Sequence, residues 1–122
     1  MFLELSHTHL DIFSASRELT VCLYKSTRSF PPEEKYALTQ QIRRAAVSVH
    51  LNIAEGFSRK SKTERKRFSK ISRGSLIEID TALDIAIELG YIHQEYLTQE
   101  KKNMTRCFQM LSKMITSLKT HD

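Results

Sequence analysis

The stretch Asn52-Ile-Ala-Glu-Gly-Phe-Ser-Arg-Lys-Ser-Lys-Thr-Glu-Arg-Lys-Arg-Phe-Ser-Lys70 joins two unlike halves. The first half closes an apolar helical pattern, with Gly56 as the last member of its stripe. The second restarts the chain at Ser61-Lys-Thr-Glu64, a capping box in which Ser61 can accept from the amide of Glu64 while Glu64 reaches back to that of Ser61. A helix end followed closely by a capped helix start implies two helices with a short connection.

Outward from this junction, helix breakers are nearly absent. The chain has two prolines, adjacent at Pro31-Pro32, and three glycines, Gly56, Gly74 and Gly90, and these act as punctuation. With the apolar spacing they define four helical segments at about 8 to 28, 33 to 57, 61 to 90 and 94 to 119. The first carries Ile12, Ala15, Leu19, Cys22 and Leu23 on one face. The second opens at Ser29-Phe-Pro-Pro-Glu-Glu34, where Ser29 can cap and two acids meet the positive end of the helix dipole. Its stripe is Leu38, Ile42, Ala45, Val49, Ile53 and Gly56. The third buries Phe68, Ile71, Ser75, Ile79, Ala82, Ala86 and Leu89 and stops at Gly90, a residue suited to a left-handed cap. The fourth presents Leu97, Met104, Cys107 or Phe108, Leu111, Met114 or Ile115, and Leu118. Four amphipathic helices with short connections predict an all-α, antiparallel up-down four-helix bundle, one domain over residues 1–122.

At 122 residues the chain can bury one core without disulfides or metals. Its 40% hydrophobic and 27% charged residues are ordinary for a globular protein, and no apolar run approaches the roughly 20 residues a membrane span needs. The first residues, MFLELSHTHLDIF, lack the basic and continuous apolar regions of a secretory signal, so a cytoplasmic location is expected. Cys22 and Cys107 are too far apart and too few for a disulfide scaffold or a zinc site, and read as reduced core thiols.

The net charge of +5 is unevenly placed. Between Arg59 and Arg73 there are eight Lys or Arg against one acid, Glu64, whereas Gly74 to Glu100 holds six acids and no Lys or Arg. On the third helix Lys62, Lys66, Lys70 and Arg73 fall within about 80° of one another, and Asp80, Asp84 and Glu88 continue the same arc. The terminal charges oppose the helix macrodipole, so the pattern does not serve helix stability. Two readings stand. Clustered bases neutralise a phosphate backbone, making Arg59, Lys60, Lys62, Arg65, Lys66, Arg67, Lys70 and Arg73 candidate nucleic-acid contacts that Arg43 and Arg44 could extend. Alternatively, the positive end of one subunit meets the negative end of the next.

A second apolar ridge, Tyr36, Val47, Leu51 and Ala54 with Ile77 and Ile85, faces away from the core stripes and points to an oligomer interface. Inside, Asn52 and Glu55 border the second stripe while Ser75 and Glu78 lie on the core side of the third. They are expected to form a buried polar layer that fixes helix register rather than an acid-base pair. His7, His9, His50, His93 and His121 lack metalloprotease spacing, and no phosphate loop or nucleophile elbow is present. No catalytic residue, metal, cofactor or small-molecule substrate is expected.

The run Gln41-Ile-Arg-Arg-Ala-Ala-Val-Ser-Val-His-Leu-Asn-Ile-Ala-Glu-Gly-Phe-Ser-Arg59, followed by Ser61-Lys-x-Glu64, Arg73-Gly-Ser-Leu-Ile-Glu78 and Asp84-Ile-Ala-Ile-Glu-Leu-Gly-Tyr91, resembles the four-helix bundle proteins encoded in intervening sequences of bacterial 23S ribosomal RNA genes. The resemblance spans roughly residues 8 to 118. It implies a cytoplasmic homopentamer with a basic surface toward RNA. It also extends to the accessory proteins of diversity-generating retroelements, which engage nucleic acid and a reverse transcriptase. The family motif positions fall on Asn52, Glu55, Gly56, Arg59, Ser61, Glu64, Gly74, Ser75, Glu78 and Gly90; the chain departs from the pattern at His50-Leu51, where a Pro-Ser pair is usual. The resulting expectation is a nonenzymatic, oligomeric bundle that binds RNA or another nucleic acid, with a protein-interaction adaptor as the alternative.

Overall fold

Four helices carry the chain in the computed structural model, which describes residues 1–118. They are α1 (Asp11–Ser26), α2 (Leu38–Ser58), α3 (Lys62–Glu88) and α4 (Thr98–Ser117), and the described residues include no strand. α1 and α3 each pack on both α2 and α4, the ring order of an antiparallel up-down bundle. The sequence expectation for residue 119 and for His121 lies outside the described residues.

The core is an apolar column through all four helices, in which Leu19, Leu23, Ile42, Val49, Ile79 and Leu111 are fully buried. Ile71 and Leu89, expected in it, are instead exposed at 39% and 56%. Each lies about 80° around α3 from Ile79, whereas Ser72 lies within about 20°. Ser69, Ser72, Ser75 and Leu76 therefore fill the buried face at that end. The small side chains of the three serines let α3 approach α2 closely. A Cβ placed on Gly56 would stand 3.3 Å from the Cβ of Phe68 on α3.

The helix ends follow local chemistry. Ser61 Oγ accepts from the Glu64 amide at 3.3 Å, the forward half of the expected capping box. Gly90 adopts φ +78°, and its amide and that of Tyr91 bond back to Ile87 and Ala86, a Schellman stop. At the Pro-Pro stretch, Pro32–Glu34 forms a short 3-10 turn and α2 begins only at Leu38. Ser29 does not cap that helix: its hydroxyl donates to Ser26 O. Glu34 takes the role instead, accepting from the Leu38 amide at 3.1 Å. α4 likewise starts at Thr98, after a 3-10 turn over Gln94–Tyr96.

Candidate nucleic-acid interface

The junction between α2 and α3 delivers the basic block at one end of the bundle. Ser61 starts α3, and the first four turns then project bases outward because the inward positions are taken by serines. Lys66, Arg67 and Lys70 line a shallow recess of about 410 Å³ together with Thr63 and Ile71. Lys62, Arg67 and Lys70 are exposed, and no acid lines the recess.

Neighbouring arginines are anchored. The Arg59 guanidinium lies 5.1 Å from the Phe68 ring centre and pairs with Glu55 at 3.1 Å, while Arg67 approaches the same ring at 5.7 Å. Arg65 Nε donates to Arg59 O at 2.6 Å, bracing the turn between the helices. Arg59 Nε is buried and has no partner among the described residues. Arg73 reaches α4, donating to Ser112 Oγ at 3.3 Å and lying 5.9 Å from the Phe108 ring centre. Lys60 is exposed in the connection.

The structure separates Arg43 from Arg44. Consecutive helical residues point about 100° apart, and Arg43 turns to α1. There its Nε donates to Thr27 Oγ1 at 2.9 Å and its Nη2 to Tyr24 O at 3.1 Å, with the guanidinium over the Tyr24 ring. Arg43 is therefore a tie to the end of α1 and not part of the basic surface. Arg44 lines a second recess, of about 560 Å³, with Gln41, Ser48, Ile71, Gly74 and Glu78. Ile71 borders both recesses, so Arg44 extends the basic patch across the α2–α3 seam.

The expected buried polar layer is only half present. Ser75 is buried and donates to Ser48 Oγ at 2.9 Å; Asn52 is half-buried and donates to Ser48 O at 2.8 Å and Ser48 Oγ at 3.1 Å. Glu55 and Glu78, by contrast, are exposed. Glu55 stands about 200° around α2 from Ile53, which carries it outward to Arg59, and Glu78 accepts from Gln41 Nε2 at 3.5 Å. Sequence reading missed Ser48 as the common acceptor. It also missed Ser72, whose hydroxyl donates to Val49 O at 2.8 Å across the seam. The serine spacing 69, 72, 75 was the available signal.

A further polar pair sits between α1 and α4, where buried Glu100 accepts from Ser26 Oγ. On the second apolar ridge Tyr36, Leu51, Ile77 and Ile85 are exposed, and Val47 and Ala54 are half-buried. Tyr36 precedes α2 instead of belonging to it. No group of three or more His, Cys, Asp or Glu among the described residues could hold a metal ion, and no described helix is long and apolar enough to cross a membrane.

The class of protein that the fold defines is a small up-down helical bundle whose longest helix is basic at one end and acidic at the other. Within that class, this chain belongs to the 23S rRNA-intervening sequence protein family, whose model matches residues 8–113. It is similar in fold to the crystal structure of a protein of unknown function from the S23 ribosomal protein family of Bacteroides thetaiotaomicron. The TM-score is 0.76 at 21% identity, covering 87% of this chain and 99% of that one. No curated protein matches the sequence.

Proposed function

We propose that this protein is a nonenzymatic, oligomeric bundle of the cytoplasm that binds RNA or another nucleic acid through the first half of α3. The observation that carries the reading is the acid-free recess formed by Lys66, Arg67 and Lys70, flanked by exposed Lys60 and Lys62 and continued by Arg44. Basic side chains along an open recess suit phosphates, and Phe68, half-buried under two guanidiniums, is poorly placed to stack on bases. Backbone binding without sequence readout follows. The exposed ridge at Leu51 and Ile85 supports a subunit contact, and a pentamer is the assembly that the family resemblance implies. The nonenzymatic reading fits the exposure of Glu55 and Glu78, which leaves the best acid-base candidates in water.

The test is fluorescence anisotropy with a labelled single-stranded RNA across a salt series. Affinity is expected to fall steeply with salt, and the Lys62→Glu/Lys66→Glu/Lys70→Glu protein is expected to lose binding while keeping its helical circular dichroism. Unchanged affinity in that variant rejects the assignment. The same ridge favours one other reading, an adaptor without a nucleic-acid role. Purification with a stoichiometric protein partner and no nucleic acid would select it.

A further inference from the structure

The acidic half of α3 has no part in the reading above, and it borders the seam between α3 and α4. Two adjoining recesses, of about 390 Å³ and 320 Å³, run between α3 and α4 and share Asp80, Met104 and Thr105. Their α3 wall extends from Leu76 to Ile87, roughly 16 Å at 1.5 Å per residue, the length of about three helical turns. The first recess has an apolar lining that includes Ile77 and Phe108, exposed at 53% and 41%. Asp80 borders both recesses and Asp84 the second, where Lys101 is the one base among the lining residues.

These carboxylates do nothing for the helix that carries them. Asp80 and Asp84 are exposed and form no ion pair or hydrogen bond among the described residues. As an i, i+4 pair of like charge they repel each other, and with Glu88 they place negative charge toward the negative end of the helix dipole. An apolar floor bordered by unpaired acids repels a phosphate backbone. It matches instead a helix with apolar anchors at i, i+3 or i+4, and i+7 and with Lys or Arg beside them.

We infer that the α3–α4 groove is a docking site for a basic amphipathic helix of a partner protein, with apolar anchors over Ile77 and Phe108 and cationic side chains against Asp80 and Asp84. The inference goes beyond the nucleic-acid reading and uses none of its basic residues; Ile77, at the edge of the second apolar ridge, is the one residue it shares with the proposed subunit contact. Glu100 is not among the contacts, because its carboxylate is buried against Ser26.

The experiment titrates the full chain with a labelled four-turn peptide of Leu and Lys in amphipathic helical order, beside the same peptide with Glu in place of Lys. The Leu/Lys peptide is expected to bind one to one, and Asp80→Lys/Asp84→Lys is expected to weaken it about tenfold or more. Phe108→Ala also weakens it. The Lys62→Glu/Lys66→Glu/Lys70→Glu protein retains peptide binding, and the Asp80→Lys/Asp84→Lys protein retains RNA binding, so the two surfaces fail separately. Equal binding of the Leu/Glu peptide, or no loss in the Asp80→Lys/Asp84→Lys protein, overturns the inference. So does sedimentation showing that this double variant disrupts self-association of the unliganded chain, which would make a second copy the occupant.

Discussion

Ser75 Oγ donates to Ser48 Oγ at 2.9 Å across the seam between α2 and α3, and Asn52 Nδ2 meets the same oxygen at 3.1 Å. One hydroxyl thus satisfies two side chains from two helices. Ser48→Ala leaves the buried Ser75 hydroxyl without that acceptor, at an expected cost of about 1–2 kcal/mol in urea unfolding. Adding Ser75→Ala should recover part of the loss. A double-mutant cycle with no coupling would deny the bond any role in joining the helices.

The two interior glycines have opposite signs. Gly74 lies within α3 with nothing within 4 Å of a Cβ, so Gly74→Ala should stabilise the single chain by roughly 1 kcal/mol through helix propensity. Gly56→Ala gains the same propensity but presses on the Phe68 Cβ at 3.3 Å, which moves only with the α3 backbone. Overpacking of about 1–3 kcal/mol then exceeds the gain, and a net loss is expected. Thermal unfolding of the two variants side by side checks the pair. A midpoint for Gly56→Ala above that of the parent would show that the seam can open.

His50 makes stability depend on pH. Its ring stacks 4.2 Å from Phe13, and its Nδ1 lies 2.6 Å from Ser16 Oγ. Burial first, then the Arg17 charge and His7, hold its pKa below the ordinary histidine value. The unfolded chain therefore takes up the proton more readily than the folded one. Stability is full above the unfolded value near ~6.5 and declines as pH falls through it toward the lower folded value. The unfolding midpoint should drop as pH is lowered from about 7 to about 5, and His50→Gln should flatten that slope. An unchanged slope in His50→Gln would assign the effect to other groups.

Cys107 is fully buried, and burial pushes its thiol up to about 11. Cys22 is half-buried and its thiol is also raised, by burial and then by Glu100 and Glu18. Both should stay protonated at about pH 8, and the native protein should react slowly with a disulfide reagent, Cys107 more slowly than Cys22. In denaturant both should react at once. Rapid native labelling of Cys107 would show that the bundle opens readily around α4.

Ile71 and Ser72 mark where the sequence was legible and where it was not. Breaker positions and apolar period were enough for the fold class and for four helices, because these two signals agreed along the chain. On α3 the hydrophobic criterion chose Ile71, yet Ser72 has the better angle, and a close seam with α2 favours small residues over apolar ones. The same bias placed Glu55 and Glu78 inside, since a motif of mixed polarity does not reveal which member turns outward. The basic block could be read directly, because charge density needs no partner helix to be seen. Arg43 and Arg44 could not be told apart without knowing which side of α2 faces α1. The α3–α4 groove was likewise out of reach: the run of acids is plain in the sequence, but the gap beside it exists only once α4 is docked.

The division of α3 into a positive and a negative half also has a length scale. Arg67 and Asp84 are separated by about 25 Å along the helix axis at 1.5 Å per residue. That exceeds the Debye length of ~8 Å at physiological ionic strength and is comparable with the ~30 Å found at 0.01 M salt. At cellular ionic strength each pole is therefore electrically hidden from whatever occupies the other, and the two can be filled as independent sites. In dilute buffer the poles sense one another. An approaching polyanion is then turned end-on before it touches the protein, and occupancy at one end is felt as competition at the other.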